Sequence, residues 1–162
     1  MALNSYLTLR GETQGDIEGS VTQPGRENSI EVHGWSHEVV SPRDAASGLP
    51  TGKRQHKPLT ITKAIDKSTP KLMNALTNNE TITDLQLKCW QPSSTGAEVQ
   101  YYTIELVNAN ISGIRAEMLN NKYPENMNHM EREHISFTYQ KITWTWMEGG
   151  ITAEDDWETP TS

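Results

Sequence analysis

The amino-acid sequence predicts a mainly β fold in one domain spanning residues 1–162, with one short α-helix and one long extended loop. Three observations carry this prediction. A stretch near the C-terminus alternates apolar and polar residues over fourteen positions, and shorter stretches along the chain do the same. Hydrophobic residues make up only 34% of the chain. Such a lean composition favours antiparallel strands with one solvated face over a parallel sheet covered on both faces.

The C-terminal stretch His134–Met147 reads HISFTYQKITWTWM and organises the rest of the prediction. Its apolar residues fall first on odd positions and then on even ones: Ile135, Phe137, Tyr139, then Ile142, Trp144 and Trp146. Successive side chains of a strand point to opposite faces. The change of phase near Gln140–Lys141 therefore predicts one long strand that is bent by a β-bulge.

The first third of the chain is predicted to be extended. Alternation and glycine-marked turns predict a strand over Ala2–Leu9, a short edge strand among the turns of Gly11–Ser20, an extended segment over Ser29–Val40 with a bend at Gly34, and a strand over His56–Lys63.

A long loop interrupts this series. Ser41–Gln55 contains two prolines and two glycines and has no usable periodicity. Loops of this length inside a domain are usually either functional or disordered. Its basic end, Lys53–Arg54, could grip a phosphate, but an arm that reaches a neighbouring subunit explains the length better.

One helix is predicted after the fourth strand. Ser68 or Thr69 can cap it, Pro70 suits its first turn, and Asn78–Asn79 is a plausible stop. Its apolar stripe consists of Leu72, Met73, Ala75 and Leu76.

The elements after the helix are predicted to be strands and one loop. They are a hairpin of Thr81–Gln91 and Glu98–Asn110 around Pro92–Gly96, a short strand over Ile111–Arg115, a polar loop over Met118–Arg132, and the C-terminal stretch, which Glu148–Gly150 ends before an acidic tail.

Charge and cysteine content exclude several classes of protein. The net charge of −7 argues against non-specific nucleic-acid binding. Cys89 is the only cysteine, so no disulfide can form within the chain. The N-terminus has no secretory signal pattern, and no apolar run is long enough for a membrane helix. We therefore expect a chain that folds in the cytoplasm and, if exported, leaves without such a signal, with no membrane insertion.

No catalytic, cofactor or metal site is predicted. His33 and His37 are too far apart on a strand for one metal ion, and His129 and His134 do not have zinc-motif spacing. Glu131 and Glu133 near a strand start suit a solvated face better than an acid–base pair. The chain is therefore not expected to be an enzyme. Exposed tryptophans could stack on sugars, although core or interface packing is commoner: Trp35, Trp90 and Trp157.

Several segments resemble one protein family closely. They are NSIEV at Asn28–Val32, TGKRQHKPLTITKAIDKSTPKLMNAL at Thr51–Leu76, HISFTYQKITWTWMEGG at His134–Gly150, and AEDDW at Ala153–Trp157. In this order they resemble the haemolysin-coregulated protein family (Hcp, or TssD), the tube subunit of bacterial type VI secretion. The resemblance spans essentially the whole chain and is less distinctive over Thr81–Arg132.

The resemblance implies a compact antiparallel β-barrel of two sheets with one helix at its side. It further implies hexameric rings that stack into a tube inside a contractile TssB/TssC sheath, with the VgrG spike at the tip. The tube would be expelled from the cell, and effector proteins would travel in its lumen, where the ring acts as their chaperone. A carbohydrate-binding β-sandwich module is the alternative, and a small β-fold hydrolase is a more remote one.

Opposite charges are concentrated in two regions. Residues 40–71 hold seven Lys and Arg against two Asp. The last fifteen residues hold only acidic charges: Glu148, Glu154, Asp155, Asp156 and Glu158. Runs of this kind usually serve solubility. The more specific hypothesis is that the basic region and the acidic tail contact each other, within or between subunits. Such a contact would suit the interface between two rings.

Overall fold

A computed structural model describes residues 3–157 of the chain. Ala2 and Glu158, which the sequence predictions include, lie outside this range. The elements within it are β1 (Asn4–Gly11), β2 (Gly15–Ile17), β3 (Ile30–Val32), β4 (Gly34–Ser36), β5 (Val39–Val40), β6 (Gln55–His56), β7 (Leu59–Ala64), α1 (Thr69–Thr77), β8 (Ile82–Pro92), β9 (Glu98–Glu117), β10 (Arg132–Thr138), β11 (Lys141–Trp146) and β12 (Ile151–Asp156).

The strands confirm the predicted mainly β, antiparallel fold. Ten strands form one sheet along the path β2-β1-β8-β9-β10-β7-β4, with β3 on β1, and with β11 on β9 and β12 on β11. The twenty-residue strand β9 joins two halves of this sheet. Its first half pairs with β8 and β11, and its second half pairs with β10. The two predicted sheets are therefore continuous through β9.

The sheet curls into a barrel whose ladder of paired strands is not closed within residues 3–157. Both edges of the opening are held by the segment 30–36, because β3 pairs with β1 while β4 pairs with β7. Between them, the His33 backbone N–H donates to the Thr62 carbonyl oxygen at 2.7 Å. One continuous piece of chain thus spans the seam.

The predicted change of phase in the C-terminal stretch is confirmed. Ile135, Phe137 and Tyr139 are buried on the odd positions, and Ile142 is buried on the even ones. The chain forms two strands here, β10 and β11, rather than one continuous bent strand. Both follow the same edge of β9, and the break between them is Tyr139–Gln140.

Strand β9 changes its inward face at the same level. Ile104 and Leu106 are buried before the change, and Ala109 and Ile111 after it. Asn108, between them, has a φ of +52°, and its side chain donates to the Gln140 amide oxygen at 3.0 Å. The separate strand predicted over Ile111–Arg115 is therefore the continuation of β9, because an Asn in the left-handed region lets the ladder run on.

The helix lies where the sequence predicts it. Ser68 is the N-cap residue, although its hydroxyl donates to Asp66 instead of capping the helix. Leu72 and Ala75 are buried, whereas Met73 of the predicted stripe is on the exposed side. Asn79 has a φ of +51°, as expected of a residue that ends a helix.

Two segments have more structure than the sequence indicated. The acidic tail is not an irregular end but strand β12, which forms a hairpin with β11 around Glu148–Gly150. The loop Ser41–Gln55 is flanked by the paired strands β5 and β6, and a further bridge joins Arg43 to Pro50. The whole of residues 39–56 thus forms a narrow two-stranded projection, called the arm below.

Candidate functional site

The arm projects from the barrel and is exposed over most of its length. Its tip is a turn in which Asp44 accepts hydrogen bonds from the N–H and hydroxyl of Ser47, at 2.8 and 2.7 Å. Every residue over 43–53 is exposed. An ordered projection with so little of its own surface buried is suited to contact with another molecule.

The base of the arm is fixed by one phenolic hydroxyl. Tyr139 Oη lies 2.7 Å from His37 Nε2 and 2.8 Å from His56 Nδ1. His37 precedes the arm, and His56 is its last residue. These three residues, called the clamp below, therefore hold both ends of the arm against the break between β10 and β11.

An acidic residue from β12 completes the base. Asp155 Oδ2 is 2.7 Å from His56 Nε2 and 2.6 Å from Arg54 Nε, and Asp155 Oδ1 is 2.9 Å from Arg54 Nη2. This two-pronged contact matches guanidinium to carboxylate geometry. Hydrogen bonds from Arg54, and then from His56, outweigh burial and hold the pKa of Asp155 below its usual value.

Aromatic rings shield the clamp from water. The Trp157 indole N–H donates to the Tyr139 carbonyl oxygen at 2.5 Å, and the Trp157 ring centroid is 5.4 Å from that of His56. The His56 side chain is only 1% exposed. Burial raises the pKa of Tyr139, and burial followed by the proximity of His56 lowers the pKa of His37. The hydroxyl is therefore a neutral hydrogen-bonding group.

Within residues 3–157, Arg54 and Asp155 form an ion pair between the basic and acidic regions noted in the sequence. Lys63 is also used internally: it is fully buried and lies 3.0 Å from Asp66 and 3.5 Å from Glu133. The other five basic residues of the region are exposed: Arg43, Lys53, Lys57, Lys67 and Lys71. The arm and its surroundings thus present positive charge to solvent.

The end of the barrel around the β11–β12 turn presents exposed apolar side chains. Trp146, Met147 and Ile151 are 43%, 42% and 67% exposed, and Val99 on β9 is 42% exposed. The Trp146 ring packs against Tyr101 with centroids 5.9 Å apart. Among the described strands, β12 pairs with β11 alone, so its other edge is open. Open edges and exposed apolar groups are typical of surfaces that contact other chains.

An open groove of about 1270 Å³ lies beside the base of the arm. Its lining includes the amide and hydroxyl groups of Thr83, Asn108, Asn110 and Gln140. Arrangements for general acid–base or nucleophilic chemistry require a base oriented toward a reacting group. In the clamp, His37 Nε2 and both ring nitrogens of His56 are instead hydrogen-bonded to Tyr139 or Asp155, which suits a structural role.

Of the residues that the sequence analysis considered, His33 and His129 line a common groove, whereas Glu131 and Glu133 differ in burial. Over residues 3–157 there is no group of three His, Cys, Asp or Glu side chains that could hold a metal ion. Glu133 lies on no solvated face: it is buried against Lys63, whereas Glu131 is exposed.

The tryptophans differ from the predicted exposure. Trp35 is 40% exposed, but Trp90 is half-buried beneath the Arg26 guanidinium, and Trp157 packs in the clamp. Two of the three rings on which the carbohydrate-binding alternative depends are thus covered. No helix in the described range has the length and apolar character needed to cross a bilayer.

Sequence reasoning misses the clamp itself. The pattern places His37, His56 and Tyr139 in extended segments far apart along the chain, and no spacing links them. The one indication in the sequence is that Tyr139 lies next to the change of phase. A buried residue at such a point contacts different neighbours from those of the strand before it.

Comparison with known proteins places the chain in a family. The model of the family described as "Type VI secretion system effector, Hcp" matches residues 6–146. The chain is 40% identical to the "Major exported protein" of Pseudomonas aeruginosa, over 99% of this chain and 98% of that protein.

Solved structures agree with this match. The chain superimposes on a crystal structure of an Hcp protein with a TM-score of 0.91, at 30% identity, covering 98% of this chain and all of the other. A mutant Hcp1 from E. coli EAEC 042 gives a TM-score of 0.85 at 35% identity, covering 96% and 99% of the two chains. The fold and nearly the whole length of the chain are thus shared with these proteins.

Proposed function

Because this chain belongs to the Hcp family of type VI secretion proteins, we propose that it is the tube subunit of such a system. Six copies would form a ring, and rings would stack into a tube. The tube would run inside a TssB/TssC sheath, carry a VgrG spike at its tip and be expelled from the cell without a signal peptide. Effector proteins would travel in the lumen, with the ring as their chaperone. The observation that carries this proposal is the match to Hcp proteins along essentially the full chain.

The geometry supports a mechanical role in which the chain acts through its contact surfaces rather than through reactive side chains. A ring needs heterologous contacts, in which one patch of a subunit meets a different patch of the next. The exposed arm is a projection of the kind such contacts use, and the open edge of β12 and the apolar end of the barrel offer partner surfaces. We propose that the chain neither forms nor breaks a covalent bond in any substrate. Such a role requires no cofactor.

Light scattering coupled to size-exclusion chromatography tests the ring. The expected mass is six times that of the 18.2 kDa chain, and negative-stain electron microscopy should show rings. A monomer at high concentration would contradict the proposal. Specific glycan binding by that monomer would instead support the carbohydrate-binding alternative.

Deletion of Ala45–Thr51 tests the arm as an assembly contact. These residues are exposed, so the barrel should fold with unchanged circular dichroism while the hexamer or its stacking is lost. The matched control shortens the largely exposed segment 118–131 by the same number of residues. Retention of full rings and tubes by the arm deletion would refute the role of the arm.

A further inference from the structure

The hydrogen-bond roles within the clamp are set by its neighbours. Because Asp155 is ionised, His56 Nε2 must carry a proton and donate to it. When His56 is neutral, its Nδ1 therefore accepts the proton of the Tyr139 hydroxyl. The Tyr139 oxygen is then free to accept from His37 Nε2–H at 2.7 Å. With both imidazoles neutral, every donor in this series of hydrogen bonds has an acceptor.

One added proton can be accommodated. If His56 becomes an imidazolium, its Nδ1–H donates to the Tyr139 oxygen, and the hydroxyl turns to donate to an unprotonated His37 Nε2. If both rings are imidazolium, each donates to the same oxygen, and the hydroxyl proton loses its acceptor. Two positive rings also face each other across one buried oxygen. A buried donor without an acceptor and an unpaired buried charge are both costly.

Within residues 3–157, the charged groups named around the clamp are either engaged with other groups or exposed. The residues around His56 are Arg54, Asp155 and Trp157, and Asp155 is already shared between Arg54 and His56. The His37 ring faces Tyr139 and the Trp144 ring, at centroid distances of 5.8 and 6.3 Å. Further out, Lys141 and Glu154 pair with each other across β11 and β12. Glu38 and Lys57, the residues that immediately precede and follow the arm, are exposed.

We propose that the clamp is a pH-sensitive switch: uptake of a proton by His37 in addition to His56 releases the base of the arm and, with it, arm-mediated assembly. The assembly half of this proposal rests on the proposed function. The release itself does not, because the clamp is complete within one chain.

The direction with pH follows from linkage. The clamped state binds fewer protons than the released one wherever an ordinary histidine is protonated, that is, below about pH 6.5. The clamp is therefore strongest at neutral pH and weakens on acidification, by up to tenfold in the released-to-clamped ratio per pH unit for one proton. Asp155 stays ionised above about pH 4 because its pKa is held below the ordinary aspartate value, so the test is confined to that range.

The first measurement is amide hydrogen exchange of Lys57, whose N–H donates to the Glu38 carbonyl oxygen at 2.9 Å beside the β5–β6 ladder. Protection at Lys57, corrected for the intrinsic pH dependence of exchange, should fall between about pH 7.5 and 5.5. His37→Gln retains an N–H donor for Tyr139 and cannot titrate, so its protection should not change. The control His129→Gln removes an exposed histidine outside the clamp and should behave as wild type.

The second measurement is the oligomer mass of the same three proteins by light scattering over the same range. Wild type and His129→Gln should dissociate reversibly on acidification, and His37→Gln should not. Constant Lys57 protection in wild type, or an equal pH response in His37→Gln, would overturn the switch. A chain that is monomeric at every pH would overturn the proposed function. In that case the protection of Lys57 would still show whether the clamp releases the arm on acidification.

Discussion

Two clusters of buried polar side chains lie at opposite ends of strand β10 and have different roles in the barrel. At the start of the strand, Glu133 lies across from Lys63 on β7, and both side chains are fully buried. Just after its end, Tyr139 holds the arm through two histidines. The first cluster sits beneath the helix and belongs to the core. The second lies at the edge of the barrel and joins the core to a projection.

The two clusters differ in the kind of contact that holds each one together. Lys63 Nζ donates to Asp66 and to the Ala64 carbonyl oxygen at 3.0 Å, and Thr69 Oγ1 donates to Glu133 Oε1 at 2.5 Å. These contacts tie two strands to the first residue of α1 through fixed charges. The clamp instead relies on hydrogen bonds whose direction can reverse. We infer that the first cluster stabilises the fold and the second controls local order.

Replacing Lys63 by Met should have the largest effect on stability. The substitution leaves the Glu133 carboxylate buried without its cation, and breaking a buried pair in this way costs about 3–5 kcal/mol. Urea unfolding measures the loss. Lys67→Met, at an exposed position four residues away, should change the free energy of unfolding by no more than about 0.5 kcal/mol.

The double variant Lys63→Met with Glu133→Leu sharpens this prediction. If the cost of the single variant comes from the stranded charge, removing the charge should restore most of the stability. A double variant as unstable as the single one would instead place the cost in lost packing of the lysine stem.

Tyr139→Phe should have a smaller and more local effect. The ring still fills its buried position, but His37 and His56 each lose the partner on the hydroxyl. We expect a loss of about 1–3 kcal/mol in urea unfolding and faster amide exchange at Lys57. Tyr123→Phe, on an exposed ring, is the control. Equal exchange at Lys57 in both variants would show that the hydroxyl does not hold the arm.

The sequence predicts the strands and the helix but neither polar cluster, and Glu133, predicted on a solvated face, is fully buried. Periodicity locates strands because burial alternates with the pleat, so the inward faces of β8 and β10 are predictable, as are the helix and its ends. Even the change of phase at Tyr139 is visible in the sequence. Partners distant along the chain are not, because alternation says which face a residue occupies but not which strand lies across from it.

The arm is a second feature whose structure depends on residues distant along the chain. Prolines and glycines mark Ser41–Gln55 as irregular, yet the segment is an ordered ribbon whose base is fixed by residues about one hundred positions away, Tyr139 and Asp155. The acidic tail likewise has the composition of a solvated charge run although it forms strand β12. In both cases tertiary contacts supply the order that local sequence lacks.

Asp155→Asn should alter stability mainly through its pH dependence. The pKa of Asp155 is lowered in the folded chain by Arg54 and His56. Its contribution to stability is therefore present above the ordinary aspartate pKa, near about 4, and is lost as the pH falls through the lowered value. Urea midpoints of wild type should drop more steeply below about pH 4 than those of the variant. Asp16→Asn, on the exposed side of β2, should keep the wild-type slope.

Glu154→Gln should have the smallest effect on stability and tests the charge hypothesis for assembly. Glu154 neighbours Asp155 on β12, but its side chain is 62% exposed and pairs with Lys141 at 3.1 Å on the surface. Exposed pairs of this kind add little to stability, so urea midpoints should not move measurably. If the acidic strand meets the basic arm region of another copy, its oligomers should become less sensitive to salt in light scattering. Glu125→Gln, an exposed acid outside β12, should retain the wild-type salt dependence, and the same dependence in both variants would argue against a charged contact at β12.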